Sequence, residues 1–373
     1  MAEVSVSSSL QTIQFRKDLF MEWSRNNRLS PYSGRGELNV ICQKMGDGPT
    51  LRHPLVTRLT NNGVSGSTML RGAGVGIGNY SMDTNPTYYR NAIEFNKEDM
   101  EKTNLELMTK ARPLLLQWMK DQTRNRQIQA LGAIQGATYS NLALTSAAFE
   151  TIADAWLVAN DDRVIFGASA GSGTDFSADI GQIDATNDTF TYSRADDMRR
   201  LAEDADPHIH PYSTNEEGEV YVVFCGSATF NTLKASLLTV NTGADVRGMK
   251  ITAGGNIIGR DGDLYYNGMV FRKIPEISQI FSKAANATTG APQGALYNRG
   301  AGGTVNVEPV FLCGMQALVH GIGSEGVDII VDRDYDYKFR PGVAVEVKED
   351  IKKAFFNGIQ HGMVSGFFYG GAS

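Results

Sequence analysis

The longest helical pattern in the sequence, from Lys97 to Leu131, restricts the folds that the chain can adopt. Apolar residues recur there at the spacing of one helix face: Leu105, Met108, Leu115 and Met119. At ~1.5 Å per residue such a helix would be about 50 Å long, whereas a compact chain of 373 residues has a radius of gyration of only ~21 Å. We therefore expect an elongated subunit. Pro113 lacks a backbone donor and is expected to kink or split the helix.

A glycine-rich segment, TMLRGAGVGIGNYSM, runs from Thr68 to Met82 ahead of this helix. A GxGxxG phosphate loop would need glycine at position 77 or 79, where the chain has Ile77 and Asn79, and no helix start follows. We therefore do not expect a nucleotide site. The segment lies between two strand-like arms, HPLVTRLTN and NPTYYRNAIEF, and this arrangement predicts a long hairpin between residues 53 and 95.

An isolated hairpin of this kind is marginally stable in water, because it buries too little apolar surface to offset the backbone entropy that it loses. Arms of about 16–18 residues would let it extend ~55 Å. We expect a neighbouring subunit to order it; the alternative is a flexible surface insertion. The residues expected to contact neighbours lie in this hairpin and in an amphipathic helix at 10–29: Arg58, Met69, Leu70, Arg71, Gly72, Gly74, Gly76, Ile77, Gly78, Tyr88, Tyr89, Arg90, Phe20 and Trp23.

Helices and strands interleave in the rest of the chain without a regular βαβ rhythm, which indicates the α+β class. The predicted strands are DDRVIFG, EVYVVFC, GMVFRKI and a C-terminal set within AVEVKEDIKKAFFNGIQHGMVSGFFYG. The predicted helices are SRADDMRRLAEDA, SATFNTLKASL and a short one in VFLCGMQALVH.

Two motifs resemble catalytic or metal sites, and each has a simpler structural explanation. GASAG, residues 167–171, matches GxSxG with Ser169 as the nucleophile, but a polar glycine-rich loop follows in place of the required helix. His208 and His210 could ligate a metal, yet no third ligand is fixed by the sequence. We therefore expect no catalytic residue, no metal and no cofactor, and we do not expect an enzyme.

The charge balance argues against a protein that grips nucleic acid, since the formal net charge is −6 and no basic run is present. Cys42, Cys225 and Cys313 are too few and too far apart to form a disulfide framework or a zinc site. We expect reduced thiols in a cytoplasmic product. The start, MAEVSVSSSL, does not match a signal peptide, and no apolar run is long enough to predict a membrane span.

The linear order of these segments resembles that of the major capsid proteins of tailed bacteriophages, which have the Hong-Kong-97-type fold. Residues 1–52 resemble the N-terminal arm, 53–95 the extended E-loop, and MEKTNLELMTKARPLLLQWMKDQTRNRQIQAL the spine helix at about 97–131. VIFGASAGSGTDF is similar to the glycine-rich segment that follows the spine. The resemblance implies a peripheral domain at 96–220, an axial domain at 221–335 and closing strands of the peripheral domain at 336–373.

The resemblance also implies a structural protein that self-assembles through pentamers and hexamers into an icosahedral phage head around double-stranded DNA. Its location would be the virion, after assembly in the host cytoplasm. The implied partners are further copies of itself, a portal, packaged DNA bound without sequence preference and, in some members, a decoration or cement protein. A separate scaffolding protein is expected, because no charged helical N-terminal extension resembles a fused scaffold.

One departure from the family pattern concerns the covalent lock that some members form from an E-loop lysine. No lysine occurs between Lys44 and Lys97, so we expect a non-covalent shell. Two alternatives are an encapsulin-like bacterial nanocompartment shell, which holds enzyme cargo instead of a genome, and a serine hydrolase acting through Ser169.

Overall fold

A computed structural model of the chain describes residues 25–59, 63–67, 69–71, 75–101, 107–134, 147–168, 173–214, 218–246, 263–282 and 305–372. Helices and sheets are both present, which confirms the α+β class. The strands are β1 Ser33–Arg35, β2 Ile41–Gly46, β3 Leu51–Val56, β4 Asn79–Thr84, β5 Thr87–Glu94, β6 Val164–Phe166, β7 Tyr212–Thr214, β8 Gly218–Cys225, β9 Leu264–Tyr266, β10 Met269–Lys273, β11 Val305–Cys313, β12 Leu318–Asp332, β13 Gly342–Lys353, β14 Phe355–Phe356, β15 Ile359–Gln360 and β16 Met363–Ala372. The helices are α1 Lys97–Glu101, α2 Leu107–Leu131, α3 Ala147–Ala159, α4 Phe176–Gly181, α5 Tyr192–Asp204, α6 Ser227–Val246 and α7 Pro275–Ile277.

The described residues belong to two compact units. Of the described residues, the smaller unit contains 25–26, 89–101, 107–121 and 327–346, and the larger unit contains the others. Residues of α2, β12 and β13 are therefore divided between the two units.

A seven-stranded sheet forms the centre of the larger unit, with the order β6-β16-β11-β8-β10-β9 and with β7 paired to β8. Alternate residues of β8 enter different hydrophobic cores, because successive side chains of a strand point to opposite faces. Val222 and Phe224 pack in a core with residues of α2, α3 and α4, whereas Tyr221 and Val223 pack in a core with residues of α5 and α6. The larger unit is thus built in three layers, with helices on both faces of the sheet.

A buried carboxylate fixes the start of α6 against this sheet. Glu308 on β11 accepts hydrogen bonds from the Thr229 amide (3.2 Å), the Thr229 hydroxyl (2.6 Å) and the Ser278 hydroxyl (2.8 Å). A negative charge at a helix N-terminus is stabilising, since the free amides and the helix dipole favour it. A side chain at Gly226 would collide with this carboxylate, so glycine is required at the turn into α6.

A second, five-stranded sheet has the order β1-β2-β12-β13-β5. Within the larger unit, a buried polar cluster connects α2 to this sheet. Glu349 on β13 accepts hydrogen bonds from His320 Nε2 (2.8 Å) and from the Thr123 hydroxyl (2.9 Å), and it is paired with Arg126. Burial by itself would raise the pKa of Glu349, but the His320 hydrogen bond and the Arg126 charge hold it below its ordinary value. The cluster keeps this carboxylate ionised inside the protein.

The helix predicted at 97–131 is confirmed where the chain is described, as α1 and α2; residues 102–106 lie outside the described ranges. Helix α2 continues through Pro113, so the helix is not split there. Four predicted strand regions and two predicted helices are also confirmed, as β6, β8, β10, the series β13 to β16, α5 and α6.

Two predictions are wrong. The helix expected in VFLCGMQALVH is instead the end of β11, a turn and the start of β12, because the run pairs with β16 on one side of the turn and with β2 on the other. The arm NPTYYRNAIEF does not pair with HPLVTRLTN; it forms β5 beside β13, and the partner of β3 is β4. The paired part of the hairpin is six residues long on each side, shorter than expected.

Candidate assembly surface

The base of the predicted E-loop is the β3–β4 hairpin, whose register runs from Leu51 opposite Thr84 to Val56 opposite Asn79. Residues next to β4 and on β13 hold it in place. Lys352 Nζ donates to the Asp83 carbonyl (3.1 Å), and the Asn85 amide donates to Asp350 (2.7 Å). The base of the loop is therefore fixed to the larger unit.

Cross-strand pairs stiffen the hairpin on both of its faces. On the exposed face, Arg52 donates two hydrogen bonds to Asp83, at 2.8 and 2.9 Å, and lowers the pKa of that carboxyl. On the buried face, His53 Nε2 lies 2.9 Å from the Thr84 hydroxyl, and burial lowers the pKa of this histidine. These contacts limit how far the strands can slide past each other.

Beyond Val56 the hairpin continues as a loop, and contacts of Thr57 and Arg58 tie the root of this loop to its own chain. The Thr57 amide and hydroxyl both donate to the Gly78 carbonyl, at 3.0 and 3.1 Å. Arg58 then reaches Asp206, whose carboxylate lies 2.6 Å from the guanidinium. Buried Arg163 donates to the Asp206 carbonyl (2.9 Å) and so fixes the backbone on which Arg58 rests.

The loop carries a group of large apolar side chains that its own subunit leaves exposed. Met69, Leu70 and Ile77 are 73%, 69% and 70% exposed. Among the described residues from 56 to 80, the exposed large apolar side chains are Val56, Leu59, Met69, Leu70, Val75, Ile77 and Tyr80. We call this group the loop apolar surface. Large contiguous apolar surfaces on a folded protein mark sites of interaction with other molecules.

A cleft of about 800 Å³ lies at the root of the loop within the larger unit. Its lining includes the loop arm at Leu55–Arg58 and several residues of two further segments, namely Asp206, Pro207, His208 and His210, and Phe356, Asn357, Ile359 and Gly362. His361 lines it as well, and burial lowers the pKa of this histidine to about 4. The cleft separates the start of the loop from the body of its own unit.

The remaining residues predicted to contact neighbours are placed as follows. Arg71, Gly76, Gly78, Tyr88 and Arg90 are exposed. Tyr89 is half-buried, and the Tyr88 ring lies 5.6 Å from Lys348 Nζ. Phe20, Trp23, Gly72 and Gly74 lie outside the described residues, as do residues 10–24 of the predicted helix at 10–29; the rest of that helix, 25–29, is not helical.

The residues considered for chemistry are not brought together into a site. Ser169 lies outside the described residues. His208 and His210 lie side by side with ring centroids 5.5 Å apart, and no group of three metal-ligating side chains occurs within the described ranges. Cys42, Cys225 and Cys313 are free and buried, and burial raises the pKa of each thiol.

Sequence reasoning missed the residues that support the loop from below, above all Asp206, Asp350 and Lys352. Each contacts the hairpin from a part of the chain more than a hundred residues away. No local pattern marks such residues.

Among the helices that the structure describes, none combines the length and apolar character needed to cross a membrane.

Comparison with known proteins agrees with this architecture. The family model described as "Phage capsid protein" matches residues 3–365. No curated protein matches the chain. The capsid of the cyanophage Pam1 is similar over 100% of both chains, with 28% sequence identity and a TM-score of 0.81. The capsid of Ralstonia phage GP4 is similar over 99% of this chain and 98% of its own, with 17% identity and a TM-score of 0.70.

More distant shells have the same fold. The acid-stable capsid of the Helicobacter pylori bacteriophage KHP30 matches 97% of each chain, with 12% identity and a TM-score of 0.63. The structural likenesses confirm the Hong-Kong-97-type fold. The family match and the likeness to the Pam1 capsid indicate a structural, non-enzymatic role and do not favour a nanocompartment shell. The chain belongs to the phage capsid protein family and is a major capsid protein.

Proposed function

We propose that copies of this chain assemble through pentamers and hexamers into an icosahedral head that encloses double-stranded DNA, with the E-loop of each copy lying on an adjacent copy. The loop apolar surface is the observation that carries the proposal. Its side chains are held away from their own hydrophobic cores, on a hairpin whose base is fixed.

Hydrophobic burial supplies the free energy of the contact. Covering a large aliphatic side chain that was exposed to water stabilises an interface by about 1.5–3 kcal/mol at full burial. Six such side chains, together with Tyr80, would therefore stabilise a subunit contact substantially, after the cost of ordering the loop is subtracted. In an isolated subunit these side chains stay exposed to water, and in the assembly an adjacent copy buries them.

Assembly then follows from repetition of the contact. A head-to-tail contact generates a ring when its rotation closes, which gives pentamers and hexamers. The axial domain, 221–335, lines the centre of each ring, and Phe20 and Trp23 of the N-terminal arm contact a further copy. Each subunit makes several such contacts, so every contact already formed raises the effective concentration for the next.

The proposal includes partners beyond the chain itself. A separate scaffolding protein guides closure in the host cytoplasm, a portal occupies one vertex, and a decoration or cement protein is a further partner where one is encoded. The net charge of −6 suits a container for DNA, because an acidic chain does not bind the phosphate backbone strongly.

The test replaces the centre of the loop apolar surface by serine, as Met69→Ser, Leu70→Ser and Ile77→Ser in one chain. We expect a folded subunit by circular dichroism that fails to form closed particles in negative-stain micrographs. The matched control is Val158→Ser on α3, which is also exposed but lies outside the loop. Particles of the triple variant at the yield of the unchanged protein would overturn the role of the loop, and so would normal particles after deletion of residues 72–78.

A further inference from the structure

Two histidines lie close together in the cleft at the root of the loop. All five histidines of the chain are in its described part, and only His208 and His210 are exposed. Both line the cleft of about 800 Å³, and their ring centroids are 5.5 Å apart. The proposed assembly makes no use of either side chain.

The backbone places both rings on the same side of their segment. His208 and His210 are exposed, and Ile209 between them is buried. This alternation is that of an extended chain, in which side chains two positions apart share a face. The two imidazoles therefore face the same side, into the cleft.

Contacts with the rest of the larger unit hold this backbone in place. The Met315 amide donates to the His210 carbonyl (2.9 Å), and the Tyr221 hydroxyl donates to the Ile209 carbonyl (3.1 Å). A side chain at Gly314 would collide with the His210 carbonyl, so the chain packs closely there. Two ligands on a fixed backbone lose little conformational entropy when they bind.

The orientation of the His208 ring leaves one nitrogen available to a ligand. Its Nδ1 lies 3.3 Å from the Glu203 carbonyl oxygen. Because a carbonyl oxygen can only accept, Nδ1 carries the proton, and Nε2 keeps its lone pair in the neutral imidazole. Histidines that bind metals in proteins commonly donate their other nitrogen to a backbone carbonyl in this way, which fixes the tautomer and the ring.

The separation of the rings fits a single metal ion. An imidazole nitrogen binds zinc at about 2.0–2.1 Å, so the ring centres of two ligands on a tetrahedral ion are about 5 Å apart, close to the 5.5 Å between His208 and His210. Imidazole suits zinc, copper and nickel, whereas calcium and magnesium require oxygen ligands. The carboxylate of Asp206, two residues before His208, is paired with Arg58 at 2.6 Å.

We propose that His208 and His210 together bind one divalent late transition-metal ion, such as Zn²⁺, through one nitrogen of each ring. Among the described residues no third metal-ligating side chain completes the group, so water fills the remaining positions, and the cleft is large enough to hold it. Binding is therefore reversible and weaker than at a structural zinc site with four protein ligands. The site does not depend on the proposed assembly, since each chain supplies both ligands.

The test titrates Zn²⁺ into the full-length chain, prepared without a histidine tag, by isothermal calorimetry. We expect one ion per chain. His208→Ala or His210→Ala should each weaken binding at least about tenfold, because the second nitrogen of a chelate binds intramolecularly, and the double variant should not bind. The matched control, His361→Ala, removes another imidazole from the same cleft and should retain the affinity. Mg²⁺ should not bind to any of these proteins.

Electron paramagnetic resonance of bound Cu²⁺ gives a second readout, with coupling to two imidazole nitrogens in the unchanged protein and to one in each single variant. Equal affinity of the double variant and the unchanged protein, or no binding to the unchanged protein at about 1 mM Zn²⁺, would overturn the site. Loss of binding in a folded His361→Ala variant would also overturn it, since the pair would then not be the ligand set. An alanine variant that circular dichroism shows to be unfolded is replaced by glutamine at the same position.

Discussion

Arg58 and Asp206 are 148 residues apart in the sequence, yet the Arg58 guanidinium lies 2.6 Å from the Asp206 carboxylate. Arg58 is on the first arm of the E-loop, and Asp206 is on a segment whose backbone is held by buried Arg163. The pair thus ties the root of a largely unsupported loop to its own subunit.

Removal of this pair should affect the loop more than the fold. Both side chains are well exposed, and exposed ion pairs contribute only about 0.2–1 kcal/mol. We expect Arg58→Ala and Asp206→Ala to change the free energy of unfolding by less than about 1 kcal/mol each, with a coupling energy in the same range. Urea unfolding of the two single variants and the double variant measures both the free energy changes and the coupling energy. A coupling energy above about 3 kcal/mol would show that the pair holds the fold itself.

The cluster around Glu349 should make stability depend on acid pH. Its pKa is lowered in the folded protein, so its contribution is present above the ordinary glutamate pKa of about 4.5 and is lost as the pH falls below that value. Glu349→Gln should cost about 3–5 kcal/mol at pH 7, because it removes the buried carboxylate that pairs with Arg126, and it should reduce the loss of stability below pH 4.5.

Urea midpoints of both proteins at pH 7 and pH 4 test this prediction. The control is Glu346→Gln on the same strand. An equal loss of stability at pH 4 in the Glu349→Gln variant and the unchanged protein would contradict the assignment.

Lys353 should make stability depend on alkaline pH. Its side chain is buried, Nζ lies 3.2 Å from the Gln360 side-chain oxygen, and burial lowers the pKa of the amine to about 7. The unfolded chain then binds a proton that the folded chain does not, between pH 7 and the ordinary lysine pKa of 10.5. Stability therefore rises with pH in that window, by at most about 1.4 kcal/mol per pH unit.

Lys353→Met should remove this rise, and Lys352→Met, at the half-buried neighbouring position of the same strand, should retain it. Unfolding at pH 7, 8 and 9 compares the three proteins. A flat profile for the unchanged protein would show that Lys353 is charged in the folded state.

Particles should contain no covalent bonds through the E-loop, because no lysine occurs between Lys44 and Lys97. Boiling purified particles in SDS should give a single band at the mass of the monomer. A ladder of multimers would show a cross-link made by a residue outside this range.

Elements that depend on neighbouring residues were predicted correctly, and elements that depend on contacts between distant parts of the chain were not. Periodicity predicted α2, α5 and β8, since a long apolar pattern depends only on neighbouring residues. The run VFLCGMQALVH is apolar almost throughout, so its spacing could not separate a buried strand from a helix, and pairing with β2 and β16 decided the outcome. The partner of β3 was missed for a similar reason, because glycines weaken the strand signal of the segment before β4.

The residues of the assembly surface could likewise be predicted only in part. Exposure of Met69, Leu70 and Ile77 was predictable from apolar residues in a segment without a local core. The supports of the loop were not, because Asp206 and Lys352 reach it only through tertiary folding. The left-handed backbone of Asp336, Tyr337 and Lys338 was not predicted either. Positive φ angles are expected at glycine, and the run DRDYDYKFR contains none.

Hydrogen–deuterium exchange of residues 57–78, in free subunits and in assembled particles, tests the central claim most directly. We predict fast exchange in the free subunit, where most of the described residues of this range are exposed, and strong protection in particles, where a neighbouring copy covers the loop apolar surface. Residues 220–225 of β8, buried in both states, provide the internal reference. Equal exchange of the loop in the two states would contradict the claim that an adjacent copy orders it.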